Sequence, residues 1–191
     1  MPFRNQMNIA NKITLARIAL VPVFIVLLYF DTFWTNIIAA VIYTITALTD
    51  LLDGYLARKH NIVTDLGKIL DPVADKILVT AALVLFVEMG RLGAVVVIIL
   101  IGRDLLIGAL RSVAASKGTV IAAGTGGKIK TVFQMIGVGM IIWKNELLGI
   151  DIMLIGQLIV YVSVILSLHS GWVYFQNYAD AERQLQTTEN E

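Results

Sequence analysis

The sequence predicts an all-α integral membrane protein of six spanning helices with both termini in the cytoplasm, and three observations carry that prediction. The 191 residues are 58% hydrophobic and 15% charged, with a mean hydropathy of +0.80, which is more apolar than a water-soluble domain of this size requires. Their apolar residues fall into runs long enough to cross ~30 Å of hydrocarbon at ~1.5 Å per helical residue. The basic residues gather on alternate connections between those runs. Helices are the spanning structure this pattern allows, because backbone groups in lipid must be satisfied within the segment and ten-residue alternating strands are absent.

The first span covers residues 13–30, with Pro22 as an expected kink. The second and third, 34–58 and 66–89, carry acidic residues toward the ends that face each other across a short connection. The fourth covers 92–115, the fifth 129–143 and the sixth 152–175. Residues 1–178 read as one six-span domain and 179–191 as a polar cytoplasmic tail expected to fray. No cleavable signal peptide is expected, since the first apolar run lacks a small-residue cleavage pattern and more spans follow it.

Orientation follows from charge. With the N-terminus in the cytoplasm and six spans alternating, Arg91 and Lys144 alone of the 15 lysines and arginines fall on the outer side. The location expected is therefore the cytoplasmic membrane, multi-pass. Trp34, Trp143, Trp172 and Tyr174 lie near span ends, where an interfacial aromatic belt explains them. Several chemistries drop out. There is no cysteine, hence no disulfide, thiolate nucleophile or cysteine-bound zinc. Two lone histidines, His60 and His169, give no reason to expect a histidine-based metal site. A net charge of +1 gives no reason to expect a nucleic-acid partner.

The informative residues are four aspartates. In "TDLLDGYLAR", residues 49–58, the positions Asp50, Asp53, Gly54, Ala57 and Arg58 fall within roughly 140° of one another on a helix. In "GKILDPVADK", residues 67–76, Gly67, Asp71 and Asp75 form a second stripe at spacing four. Antiparallel neighbours would turn the two stripes together, near the cytoplasmic interface. Four carboxylates there lose hydration and repel one another unless their protonation shifts or cations join them. Hard divalent ions that prefer oxygen ligands answer that need, Mg2+ first and Mn2+ next, and two of them would balance the four charges. Paired metals also suit phosphoryl chemistry, in which attacking and leaving oxygens are both steadied. Gly54 and Gly67 admit a ligand close to the backbone or simply permit close helix packing. Pro72 marks the early turns of the third span or opens the helix at the site.

The pattern D-x-x-D-G-x-x-A-R, eight residues, then G-x-x-x-D-x-x-x-D resembles the signature of the CDP-alcohol phosphotransferases. Asp50, Asp53, Gly54, Ala57, Arg58, Gly67, Asp71 and Asp75 fill every position. The six-span layout is similar to that family's too. "NIANKITLAR" looks like its N-terminal N-x-x-T-x-x-R element, carried by Asn11, Thr14 and Arg17, with Ala10 where many relatives have proline. The resemblance implies an enzyme that joins a CDP-linked lipid or alcohol to a second alcohol and releases CMP. It implies that Asp50 and Asp71 bridge two metals, that Asp53 and Asp75 complete one site each, and that Asp75 takes the proton of the attacking hydroxyl. Gly54, Arg58 and Thr64 match positions that hold the cytidine diphosphate, and Asn11, Thr14, Arg17 and Gly67 join the CDP-lipid-binding set. A homodimer is implied as well.

"GRDLLIGALR" and "GKIKT", with "LDPVADK", are similar to the bacterial branch of the family whose acceptor is sn-glycerol 3-phosphate and whose lipid is CDP-diacylglycerol. Arg111, Lys128 and Lys130 would then hold the acceptor phosphate, although ordinary positive-inside residues would look the same. Arg103 has Asp104 beside it as a ready partner. "GTGGKIKT" is not a P-loop, since Ala122 and Ile129 break that pattern and no strand precedes it; a flexible loop into the fifth span is expected. Two alternatives stand beside glycerol 3-phosphate transfer. One keeps the chemistry and changes the acceptor to inositol phosphate, serine or phosphatidylglycerol. The other is a divalent-cation transporter, which would place its carboxylates nearer the midplane and show an inverted repeat.

Overall fold

The computed structural model describes residues 9–60, 65–116, 125–147 and 149–189. Side chains at 9–12, 50–60, 65–72, 75, 125 and 184–189 lie outside the described set. Among the described residues there are six helices: α1 (Ile9–Phe30), α2 (Phe33–His60), α3 (Asp65–Glu88), α4 (Ala94–Ser116), α5 (Thr125–Trp143) and α6 (Ile152–Glu189). A two-stranded antiparallel hairpin, β1 (Glu146–Leu147) with β2 (Ile150–Asp151), joins α5 to α6, with Gly149 in its turn at φ 77°. Among the described residues the fold is all-α apart from that hairpin.

Each helix end has a local cause. Thr32 caps α2: its Oγ1 accepts from the Thr35 amide at 3.4 Å, and the Thr32 amide donates to Thr35 Oγ1 at 3.0 Å. Helix α3 stops at a left-handed Gly90 (φ 68°), where the Arg91 amide returns to the Phe86 carbonyl and the Gly90 amide to Val87. Asp151 caps α6 through the Leu154 amide at 3.1 Å.

Three boundaries differ from expectation. Helix α1 starts at Ile9 and runs through Pro22. Helix α5 starts at Thr125, so Gly126 and Gly127 are helical rather than part of a loop. A Cβ on Gly126 would come within 3.3 Å of the Ser170 Cβ, so its bare backbone lets α5 begin against α6. Helix α6 continues past Tyr178 to Glu189, where fraying was expected. That stretch is rich in Ala, Glu, Gln and Arg and carries an Asp180–Arg183 pair one turn apart.

Ile13–Phe30 and Ile152–Arg183 are long and apolar enough to cross a membrane, and Phe33–Thr49 is a shorter apolar stretch, among the described residues. Charges interrupt the others: Arg103, Asp104 and Arg111 in α4, Lys128 and Lys130 in α5. Apolar side chains also cover the outside of the bundle. Val95, Ile98 and Leu105 of α4 and Leu158 and Ile165 of α6 are all more than half exposed. Apolar surface of this extent is solvated by lipid far better than by water.

Inside, α1 packs on α3 and α2, α2 on α5, α4 on α6, and α5 along α6. The last pair approach most closely where Gly137 meets Gly156. A Cβ on Gly137 would lie 2.9 Å from the Gly156 carbonyl oxygen, and one on Gly156 would lie 2.8 Å from that of Gly137. Phe24, Leu28, Leu83, Phe86, Leu100, Ile141 and Val160 form the buried core, drawn mainly from the helix segments nearest the α1–α2 turn.

At that turn Asp31 accepts from Arg91, from Lys144 Nζ at 2.8 Å and from Asn36 Nδ2 at 2.8 Å. Arg91 also stacks over Phe86, and its carbonyl receives Gln157 Nε2 of α6 at 2.7 Å. The two cations that break the charge bias thus share one carboxylate. Burial alone would raise the Asp31 pKa, but the hydrogen bonds from Asn36, Lys144 and Arg91 outweigh it and lower the value to about 2.

Candidate active site

The basic residues of α4 and α5 converge from opposite directions. On α4, Asp104, Gly108 and Arg111 recur at spacings four and three and share a face. On α5, Lys128 and Lys130 are two residues apart and point to different sides of the helix, so one is exposed and the other buried to 2%. On α6, Ser170, Tyr174 and Asn177 supply a third polar face.

These faces enclose a cavity of about 1130 Å³. It follows α5 from Gly126 to Trp143, a rise of roughly 26 Å, close to the thickness of a bilayer core. Its two ends differ. Near the start of α5 it is lined by Lys76, Arg103, Arg111, Lys128 and Lys130, with Asp104 the one carboxylate among the described residues there. Along the rest it is lined by Ala47 and Leu48 of α2 and by Met135, Gly139 and Trp143 of α5. Such a space accepts a molecule with an anionic head and an apolar body.

The charged end is tightly connected. Lys130 Nζ sits 2.5 Å from Asp104 Oδ1, and Arg103 Nη1 donates to the same oxygen at 3.1 Å. Arg103 crosses to α6 as well, with Nε on the Ser167 carbonyl at 3.0 Å and Nη2 on Ser170 Oγ at 2.8 Å. Lys76 Nζ donates to the Asp104 carbonyl at 3.2 Å, passing over Gly108. Arg111 lies over the Tyr174 ring, 5.9 Å from its centroid, and is exposed toward the cavity.

Residues 7–169 match the family described as CDP-alcohol phosphatidyltransferase. The chain belongs to that family. Among its relatives, the CDP-diacylglycerol–glycerol-3-phosphate 3-phosphatidyltransferase of Bacillus subtilis (strain 168) is 39% identical over 186 residues, covering 91% of this chain and 96% of the relative. The proteins of the same name from Shigella flexneri serotype 5b and Rickettsia bellii are 36% and 31% identical, over 88% of this chain and 93% and 94% of theirs. Membership agrees with the apolar helices in making this a membrane enzyme, and the family is generally dependent on divalent metal.

The family-signature residues can be placed on the backbone. Asp50, Asp53, Gly54 and Arg58 belong to the C-terminal half of α2, and Gly67, Asp71 and Asp75 to the first half of α3. Their side chains, and that of Asn11, lie outside the described set, and Thr64 lies outside the described residues. Thr14 and Arg17 are buried on the inward face of α1, the helix that packs on both α2 and α3. Arg111, Lys128 and Lys130 come together around the cavity. Two members of that cluster are ones the sequence reading undervalues. Lys76 points away from the aspartate stripe, as helical spacing demands, and thereby reaches α4. Asp104 is more than a neighbour for Arg103, and the spacing that puts it on the Arg111 face was available in the sequence. Among the described residues no cluster of histidine, aspartate or glutamate could hold a metal ion. The all-oxygen donor set of the four aspartates fits a hard divalent cation.

Proposed function

We propose that this chain transfers the phosphatidyl group of CDP-diacylglycerol to sn-glycerol 3-phosphate, giving phosphatidylglycerophosphate and CMP. One observation carries the choice of acceptor: the cationic end of the cavity gathers Arg111, Lys128 and Lys130 and is bordered by Lys76, the residue directly after Asp75. An anionic, water-soluble alcohol bound there lies against α3, the helix that carries the expected base. Relatives over 30% identical along nearly their whole length carry that activity in their names, which supports the same assignment.

Asp75 accepts the proton of the acceptor's primary hydroxyl. The hydroxyl oxygen forms a bond to the β-phosphorus, the bond from that phosphorus to the bridging oxygen breaks, and CMP leaves with the electron pair. Asp50, Asp53, Asp71 and Asp75 would hold two Mg2+ (or Mn2+) ions, which when bound polarise phosphate oxygens and offset developing charge. Helix bounds support this grouping. Asp53 is seven residues before the end of α2 and Asp71 six after the start of α3, about 10 Å and about 9 Å along their axes. Gly54, Arg58, Thr64 and Gly67, with Asn11, Thr14 and Arg17, bind the CDP-lipid; a guanidinium such as Arg58 grips phosphate oxygens in a fork. The apolar length of the cavity gives an acyl chain a path to the bilayer. All six helices span the cytoplasmic membrane with both termini inside, and exposed apolar faces remain for a second copy in a homodimer.

Purified enzyme in nanodiscs, given CDP-diacylglycerol, Mg2+ and a panel of acceptors, tests the assignment. CMP release with glycerol 3-phosphate, and not with serine, inositol phosphate or phosphatidylglycerol, is the expected result. Release with another acceptor alone would reassign the substrate, and metal flux without CMP would replace the enzyme by a transporter.

A further inference from the structure

We infer that Asp104 is a positioning residue for the acceptor: it fixes the Lys130 ammonium at the wall of the cavity so that the phosphate of glycerol 3-phosphate meets an oriented cation. The inference rests on the activity proposed above. A carboxylate is at first sight misplaced in a space built for an anion, because it repels the ligand. Its geometry explains it. Lys130 lines the cavity but is 2% exposed, so its ammonium has lost most of its water and needs a compensating acceptor. Asp104 Oδ1 supplies one at 2.5 Å, Lys130's described partner. An ammonium carries three donors, so among the described residues one is bonded to Asp104 and two remain for a ligand.

Arg103 does not explain the carboxylate equally well. It keeps the Ser167 carbonyl and Ser170 Oγ if Asp104 is removed, and those anchors hold it against α6. The backbone of Asp104 adds a second link, since its carbonyl receives Lys76 from α3. Residue 104 therefore joins α3, α4 and α5 at the charged end, and its side chain serves Lys130 in particular.

The test is a double-mutant cycle in nanodiscs with Mg2+, reading CMP release while each substrate is varied. Asp104→Asn should raise KM for glycerol 3-phosphate at least tenfold and leave KM for CDP-diacylglycerol within twofold. The Asp104→Asn, Lys130→Gln double variant should lie within twofold of Lys130→Gln alone, because a residue acting through Lys130 has nothing left to act on. Multiplying effects, or both KM values rising together, would mean a merely structural role and overturn the inference. If Asp104→Asn does not fold, Asp104→Glu carries the same test: the displaced carboxylate should raise acceptor KM severalfold, and an unmoved value overturns the inference. Wild-type enzyme that releases no CMP with glycerol 3-phosphate fails the activity assignment first, and this inference with it.

Discussion

The two ends of the bundle use the same ingredients to opposite purpose. At one end Asp31 faces Arg91, Lys144 and Asn36, stitches three helix connections together, and lies over the buried core. At the other end Asp104 faces Lys130 and Arg103, but Lys76, Arg111 and Lys128 stand around it and a large cavity opens beside them. A carboxylate that ties its cations together across closed turns holds a fold. A carboxylate that, among the described residues, stands with five cations beside an open space leaves charge free to meet an anion. The distribution of cations around the acid, and the room next to them, separates structural from functional charge here.

The sharpest way to test that contrast is at the aspartates proposed to stand next to the open end. Asp75→Asn should lower turnover by about 10³-fold, the range for loss of a general base, while the protein stays folded and still binds CDP-lipid. Turnover within tenfold of wild type would remove Asp75 from that role. Next in size, Arg111→Ala and Lys128→Ala should each raise acceptor KM by about 10- to 100-fold, the worth of a charge-assisted hydrogen bond, with KM for the lipid unmoved. Equal rises for both substrates would show that the cavity's cations do not select the acceptor.

Smaller effects, on stability alone, are expected away from the cavity. Gly137→Val should cost about 2 kcal/mol, measured as a lower melting temperature in detergent, because a Cβ at that position has a carbonyl oxygen 2.9 Å away. At the closed end Asp31→Asn should cost about 2 kcal/mol with activity per folded molecule unchanged. The sign with pH is fixed by the direction of the shift. The folded value, about 2, lies below the ordinary 3.8, so the stabilisation is complete above pH 3.8 and disappears as pH falls toward 2. Melting temperature should therefore fall across that window in the wild type and change much less in Asp31→Asn.

Much of the helical framework was legible in the sequence, because apolar runs and their terminators are local. Among the described residues six helices stand near their expected places, while the Thr32 and Asp151 caps and the stop at Gly90 were not singled out by the apolar runs. The hairpin at 146–151 was not legible, since two-residue strands leave no periodicity. The start of α5 was missed because Gly126 and Gly127 read as loop, whereas contact with α6 near Ser170 favours bare backbone there. At the site, spacing shows which residues share a face of one helix and not which helix they meet. Arg111, Lys128 and Lys130 were therefore recognisable as a group by charge. Lys76 reaching the Asp104 carbonyl and Lys130 reaching the Asp104 carboxylate depend on how α3, α4 and α5 pack, which no periodicity contains.

The central claim is that carboxylates from α2 and α3 share one divalent-metal site next to the cationic cavity. Anomalous diffraction from crystals grown with Mn2+ and CDP-diacylglycerol tests it most directly. Two manganese peaks among Asp50, Asp53, Asp71 and Asp75, with the pyrophosphate beside them, are the expected result. Manganese bound elsewhere, or α2 and α3 carboxylates turned to opposite sides of the bundle, would contradict it.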